Sequence, residues 1–308
     1  MKKTISFLYG LLLLAKVNAC DLCGCNPGVF SGDFLSSEPQ SYAALSSSYK
    51  QYKMLDSSSA VERIHLFNQT LTIGYSPKSW VELRLMLPYS LMVNQYAADK
   101  KQSVGLNDIT LFSNFRIINK PACNTKHQFG HQLNIGAGVE FPTGKNIANT
   151  MDELQNFTFG SRSFDVPMSL TYLLSYKNWS LIQFVYMKFN TVNKEKVRYG
   201  SMYTYQLSAS YQHSFKKIAF LPNIGLRSEF QDRNLRKNII QHFSGTKLLL
   251  LTAGFDIKWK MLSGGLSLQQ PLWQNTANFT IKQKSTITLN LRYQFPKIKK
   301  KTNSSSQN

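Results

Sequence analysis

Past its first twenty residues the chain has no apolar run long enough to cross a bilayer as a helix, which takes about 20 residues. The tetraleucine Leu248–Leu251 is typical of what there is. That excludes a helical membrane protein. Acids are scarce: 16 Asp and Glu stand against 36 Lys and Arg, for a formal charge of +20. Cysteine is scarce too, with four in the chain, three of them packed into Cys20–Cys25. Catalytic signatures are missing: there is no nucleophile elbow, phosphate loop or dinucleotide fingerprint. The five histidines, His65, His127, His131, His213 and His242, are scattered. His127 and His131 are nearest in sequence, but on a strand they would lie about 13 Å apart, too far to share a metal. No catalytic and no cofactor-binding residue is assigned.

What is present begins with an export signal. Lys2 and Lys3 precede an apolar stretch from Ile5 to Ala15, and Val17-Asn18-Ala19 offers small residues at the −3 and −1 positions of a cleavage site. Residues 1–19 are therefore expected to be removed, leaving Cys20 first. A cysteine there also fits acylation, although Asn18 suits a lipoprotein signal poorly.

The rest of the chain alternates. Tyr203, Tyr205, Leu207, Ala209 and Tyr211 fall on one face of a strand, and Thr204, Gln206, Ser208, Ser210 and Gln212 on the other. Leu133, Ile135, Ala137, Val139 and Phe141 alternate with Gln132, Asn134, Gly136, Gly138 and Glu140, and the pattern returns over 286–295. Twelve strands are predicted: 41–55, 63–75, 80–93, 105–118, 128–142, 162–176, 179–190, 201–214, 218–230, 246–260, 262–273 and 285–296. Many exceed the five or six residues common in soluble sheets and suit tilted strands that cross a bilayer. Trp80, Tyr89, Tyr176, Trp179, Trp259 and Trp273 sit near strand ends, where interfacial girdles form.

Connection lengths point the same way. Ser76–Ser79, Lys177-Asn178, Phe215–Lys217 and Lys260–Leu262 are short. The segments 94–104, 143–161, 190–200, 231–245 and 274–284 are long. Short turns on one rim and long loops on the other mark an outer-membrane barrel, and an even strand count leaves both chain ends on the periplasmic, short-turn side. The expected fold is all-β, a transmembrane antiparallel up-and-down barrel of about 12 strands. The expected organisation is a signal peptide over 1–19, a periplasmic cysteine-containing segment over 20–40, a barrel over 41–296 and a basic, polar tail over 297–308.

Several local patterns resemble a family of outer-membrane barrels named for the meta-pathway of phenol degradation. Gly105-Leu-Asn-Asp108 is similar to its Gly-Leu-Gly-Asp, Leu87-Pro-Tyr89 to its strand-ending Leu-Pro-Tyr, and Phe141-Pro-Thr-Gly144 to its Leu-Pro-Thr-Gly. Phe159-Gly-Ser-Arg-Ser-Phe-Asp165 resembles its Gly-Thr-Gly-Ser-Trp-Asp, and Cys20-Asp-Leu-Cys-Gly-Cys25 resembles an opening seen in Bacteroidota members. The resemblance implies an outer-membrane barrel and a transporter role with no established solute. The final strand, ending in Phe295, resembles the one that the barrel-insertion machinery reads. Read as structure, Pro88 and Pro142 end strands because they cannot donate to a ladder. Asp108 and Asp165 face inward by parity and fix hydrogen bonds near the rim.

The charge has a solvated reading. Arg84, Arg116, Arg227, Lys258 and Arg292 face inward with Glu82, Asp108, Glu140, Asp165, Glu229 and Asp256, and opposite signs are expected to pair across a narrow lumen. The surplus lies in the loops and in the tail at Lys297, Lys299, Lys300 and Lys301. Its partners would be outer-membrane lipid and lipopolysaccharide phosphates rather than nucleic acid.

Export puts Cys20, Cys23 and Cys25 in an oxidising compartment, with Cys123 on the same periplasmic rim. They are candidates for disulfides or for a Cu or Zn site, and the spacing decides neither. The function expected is a small-solute channel or transporter. The alternatives are a non-conducting barrel that anchors a periplasmic metal, redox or protein partner, and an outer-membrane hydrolase with Ser or Asp and His at its rim.

Overall fold

The structure is a computed structural model that describes residues 40–55, 61–97, 99–120, 129–144 and 158–296. The leader, nearly all of the cysteine segment, the tail and all four cysteines lie outside the described residues. So do His127 and the stretch over 26–39 that could plug the lumen.

Twelve staves form the wall. The first five staves are β1 (Tyr42–Met54), β2 (Val61–Lys78), β3 (Val81–Tyr96), β4 with β5 (Lys100–Leu106, then Ile109–Lys120) and β6 (Phe129–Phe141). Then come β7 (Val166–Tyr176), β8 (Trp179–Phe189), β10 with β11 (Met202–Tyr211, then His213–Phe215) and β12 (Ile218–Gln231). The last three are β15 (Thr246–Trp259), β16 (Leu262–Thr276) and β17 (Ile281–Gln294). Three short strands, β9 (Val197–Arg198), β13 (Leu235–Arg236) and β14 (Ile239–Ile240), form a separate small sheet in the long connections.

Every neighbour in the wall is antiparallel, and β1 closes against β17 from Tyr42↔Gln294 to Met54↔Ile281. Closure leaves no edge strand and satisfies the backbone within the wall, which is the condition for crossing a bilayer as a sheet. At this seam a Cβ on Gly74 would stand 2.2 Å from the Tyr42 ring. Glycine is therefore what admits the ring, and the Arg292 guanidinium covers it at 3.5 Å.

Residue parity sorts the two faces as the sequence indicates. Leu45, Phe67, Leu71, Leu85, Leu111, Ile135, Leu226 and Leu289 are exposed on the outer wall, a surface that only hydrocarbon would accept. At the short turns Lys78, Lys177, Lys216 and Lys260 lie 5.3–5.6 Å over Trp80, Tyr176, Phe215 and Trp259. Such pairs put an aromatic body at the interface and a cation in water.

The structure corrects several expectations. β3 runs through Pro88 to Tyr96 instead of ending there. Its neighbouring stave breaks between β4 and β5, opposite Pro88, so the missing N–H is not needed, and the Pro88 carbonyl accepts from the Asn107 amide at 2.9 Å. The segment 94–104 is mostly hairpin, since β3 and β4 stay paired as far as Gln95↔Lys100. The same holds for 274–284, where only 277–280 separates β16 from β17. β7 starts at Val166, not near 162.

Candidate functional site

Residues 162–165, just ahead of β7, stay at the wall, with Phe164 exposed against Phe141, but the chain before them turns into the barrel. Phe159 is 2% exposed and belongs to one buried cluster with Tyr52, Val61, Ile64, Leu66, Met92, Leu248, Leu250, Ala277 and Ile281. Parity points Tyr52, Ile64, Leu66, Met92, Leu248 and Leu250 inward from β1, β2, β3 and β15. The described residues just ahead of β7 therefore reach into the long-loop half of the lumen, where this apolar cluster packs beside buried polar groups: Lys50 opposite Leu66, Asn94 opposite Ile64, Arg227 opposite Leu250 and Glu229 opposite Leu248.

Asp108 holds the segment in place. It sits in the break between β4 and β5, fully buried, and Oδ1 accepts from the Gly144 amide at 2.7 Å. Oδ2 accepts from the Ser161 amide at 2.6 Å and its hydroxyl at 3.0 Å. Gly144 and Gly160 cross directly above the carboxylate, and a Cβ on Gly160 would meet Asp108 Oδ1 at 2.6 Å and Gly144 Cα at 2.8 Å. Thr143 closes the corner by accepting from the Ile109 amide at 2.9 Å. Asn193 ties the next loop on: its Nδ2 donates to the Ser161 carbonyl at 3.0 Å.

One step along the wall, Glu140 accepts from Lys188 Nζ at 3.1 Å, with both side chains 2% exposed. Asp165 pairs its backbone with Glu140 through bonds of 2.9 and 3.1 Å. Asp165 Oδ1 takes the Ser163 hydroxyl at 2.8 Å and the Thr191 amide at 3.0 Å. Leu87–Tyr89, Gly105–Asp108, Phe141–Gly144 and Phe159–Asp165 are far apart in sequence but meet at this point. They are the parts of one loop anchor.

Two further luminal pairs form along the wall instead of across the lumen as expected. Arg84 binds Glu82 and Arg227 binds Glu229, each two residues away on its own strand. Sequence reasoning missed Lys188 because the inward face of β8 also carries Ile182, Phe184 and Tyr186, which hides the alternation. It missed the apolar cluster for a related reason: Leu248 and Leu250 belong to a run of four leucines that fills both faces, and around Ile64 and Leu66 the outer face carries Arg63 and His65, which inverts the alternation.

The described histidines do not gather. His65 Nδ1 lies 2.8 Å from the Tyr49 hydroxyl near the long-loop end of the wall, and His131 Nδ1 lies 2.6 Å from the Tyr172 hydroxyl near the other. Among the described residues no group of three or more His, Cys, Asp or Glu could hold a metal.

A closed twelve-stave wall, an apolar exterior and a folded-in loop define an outer-membrane β-barrel. The chain belongs to the family described as "Putative MetA-pathway of phenol degradation", which residues 61–234 match. Among solved structures it is similar to an outer membrane channel from Pseudomonas putida F1, at 13% identity and a TM-score of 0.63 over 85% of this chain and 98% of that one. It is more distantly similar to the β-domain of the Bordetella autotransporter BrkA, at 11% identity and a TM-score of 0.47 over 83% and 100% of the two chains. No curated protein sequence matches the chain.

Proposed function

We propose that this barrel is a channel for small solutes with an apolar body. The observation that carries the reading is the buried apolar cluster of Tyr52, Ile64, Leu66, Met92, Leu248, Leu250 and Phe159 packed inside the long-loop half of the barrel, where a plain water-filled pore would be polar. These side chains are only 0–4% exposed, so a solute entering from the long-loop side would pass as the Phe159 segment moves off them, beside Arg227 and Glu229 opposite Leu250 and Leu248, and would then meet Glu82 and Arg84 near the short-turn rim. The loop that carries Phe159 narrows the path and selects by size. The solved channel of similar fold supports a barrel of this kind, and a family description that refers to phenol fits a small aromatic solute.

The test is uptake into proteoliposomes of two anions of similar charge, benzoate and gluconate. Faster entry of benzoate, reduced by Leu66→Asn and Leu250→Asn together, is expected. Equal entry of both anions, or no effect of the substitutions, would overturn the apolar preference.

A further inference from the structure

Around the long-loop rim, on the outside of the wall, the strand register lines up cations. Lys53 on β1 lies directly opposite Lys282 on β17 and directly opposite Arg63 on β2. Arg63 in turn faces Gln95 on β3, and Gln95 faces Lys100 on β4. Lys284 follows Lys282 two positions along the same outward face. All five cations are exposed. Directly opposed side chains carry Cβ atoms about 5 Å apart, and like charges so placed destabilise a sheet. Lys53 has a cation on each side.

Among the described residues little offsets this. Lys53, Arg63 and Lys282 form no ion pair among the described residues. The nearest described acids are Glu62, the bulged residue between Val61 and Arg63, and Asp99, whose carboxylate accepts from the Lys100 amide at 2.7 Å. A row of like charges that the described residues do not neutralise suits an anion from outside.

Depth identifies which anion. Four residues inward along these strands, on the same outer face, come Tyr49 and Phe67, with ring centroids 4.8 Å apart. Leu45, Leu71 and Leu289 follow, each exposed. The order is cation, aromatic, aliphatic, which matches the order of headgroup, interface and hydrocarbon in a bilayer. The row therefore stands at the headgroup level of the leaflet on the long-loop side, the outer leaflet.

We infer that Lys282, Lys53, Arg63 and Lys100, with Lys284, form a binding site for the phosphates of a phosphorylated glycolipid of the lipid A class, seated on the outside of the barrel over β17, β1, β2 and β4. Guanidinium and ammonium groups in a row suit two phosphates on one headgroup, through charge-assisted hydrogen bonds. The acyl chains of such a lipid would run down the wall over Tyr49, Phe67 and Leu71. The site lies outside the lumen and does not depend on whether the channel conducts.

The experiment is binding of lipid A to the full chain in nanodiscs, measured by native mass spectrometry, with monophosphoryl lipid A, phosphatidylglycerol and inorganic phosphate as comparisons. The wild type is expected to retain bisphosphorylated lipid A most strongly. Lys53→Gln/Arg63→Gln/Lys282→Gln should weaken it by roughly 100-fold, at about one tenfold step or slightly less per surface cation. Lys78→Gln/Lys177→Gln/Lys260→Gln, at the opposite rim, should leave it unchanged. Heat-modifiable mobility and unchanged conductance of both triple variants would show that each still folds. Equal retention by the two triple variants, equal binding of phosphatidylglycerol, or binding of inorganic phosphate alone would each overturn the assignment.

Discussion

Asp108 and Ser161 lie 53 residues apart in sequence and are joined by two hydrogen bonds, at 2.6 and 3.0 Å, that fasten a loop inside a barrel. The bonds are buried, so removing the carboxylate strands the Ser161 amide and hydroxyl where water cannot reach them. Asp108→Ala should cost about 1–3 kcal/mol for each buried donor left unpaired. Because these bonds hold a loop and not the wall, the loss should appear as a loosened lumen. In planar bilayers the variant should give larger and noisier conductance steps than the wild type while still folding. Unchanged steps would mean that the segment over 158–165 does not set the width of the path.

The Glu140–Lys188 pair makes a second prediction. Each partner is buried, so removing one leaves an uncompensated charge, at a cost of about 3–5 kcal/mol. Glu140→Gln or Lys188→Met alone should therefore lower the urea midpoint of unfolding more than the double variant does. If the double variant is as unstable as the sum of the two singles, the pair is not coupled.

Face assignment is tested by adjacent residues. Leu289 is exposed on the outer wall, and Asn290 points inward opposite Ser46 and Gly265, where there is room. Leu289→Arg should impair insertion, since a cation near mid-bilayer costs about 2–4 kcal/mol. Asn290→Arg should insert and retain the faster migration on gels without boiling that a closed barrel shows. Equal insertion of the two would contradict the parity on which every luminal argument rests.

The cysteines supply a fourth. They lie outside the described residues, but β5 ends at Lys120 and β6 begins at Phe129 on the rim where β1 starts at Tyr42. Cys123 and the segment with Cys20, Cys23 and Cys25 thus attach to one rim. A chemical link is expected: either a disulfide from Cys123 to one of the three, seen by non-reducing mass mapping, or Cu(I) or Zn(II) affinity that drops in Cys123→Ser. A free Cys123 thiol, with metal affinity unchanged by its replacement, would mean that Cys20–Cys25 acts without it.

The wall was legible because one physical rule governs it. Lipid outside and water or polar groups inside force period two on every stave, as in Tyr203–Tyr211 and Leu133–Phe141. The lumen was less legible. Where inward residues are apolar, the alternation either fails to distinguish the faces, as at Leu250, or inverts, as at Ile64 and Leu66 beside the outward Arg63 and His65. The anchor was visible only as fragments, since Asp108, Gly144, Gly160 and Ser161 become one site through the break in a stave and the inward fold of a loop. Neither has a local sequence signal beyond an inward-facing Asp and two turn glycines. Pro88 misled because a proline's cost depends on whether its neighbour requires the missing donor.

The central claim is that this barrel conducts small solutes past the loop held by Asp108, and single-channel recording of the full chain in planar bilayers tests it most directly. Discrete, small conductance steps from the wild type, enlarged in Asp108→Ala, are the predicted result. A correctly folded barrel, heat-modifiable on gels, that stays electrically silent in both forms would contradict it, and would favour a barrel that anchors its periplasmic cysteine segment instead.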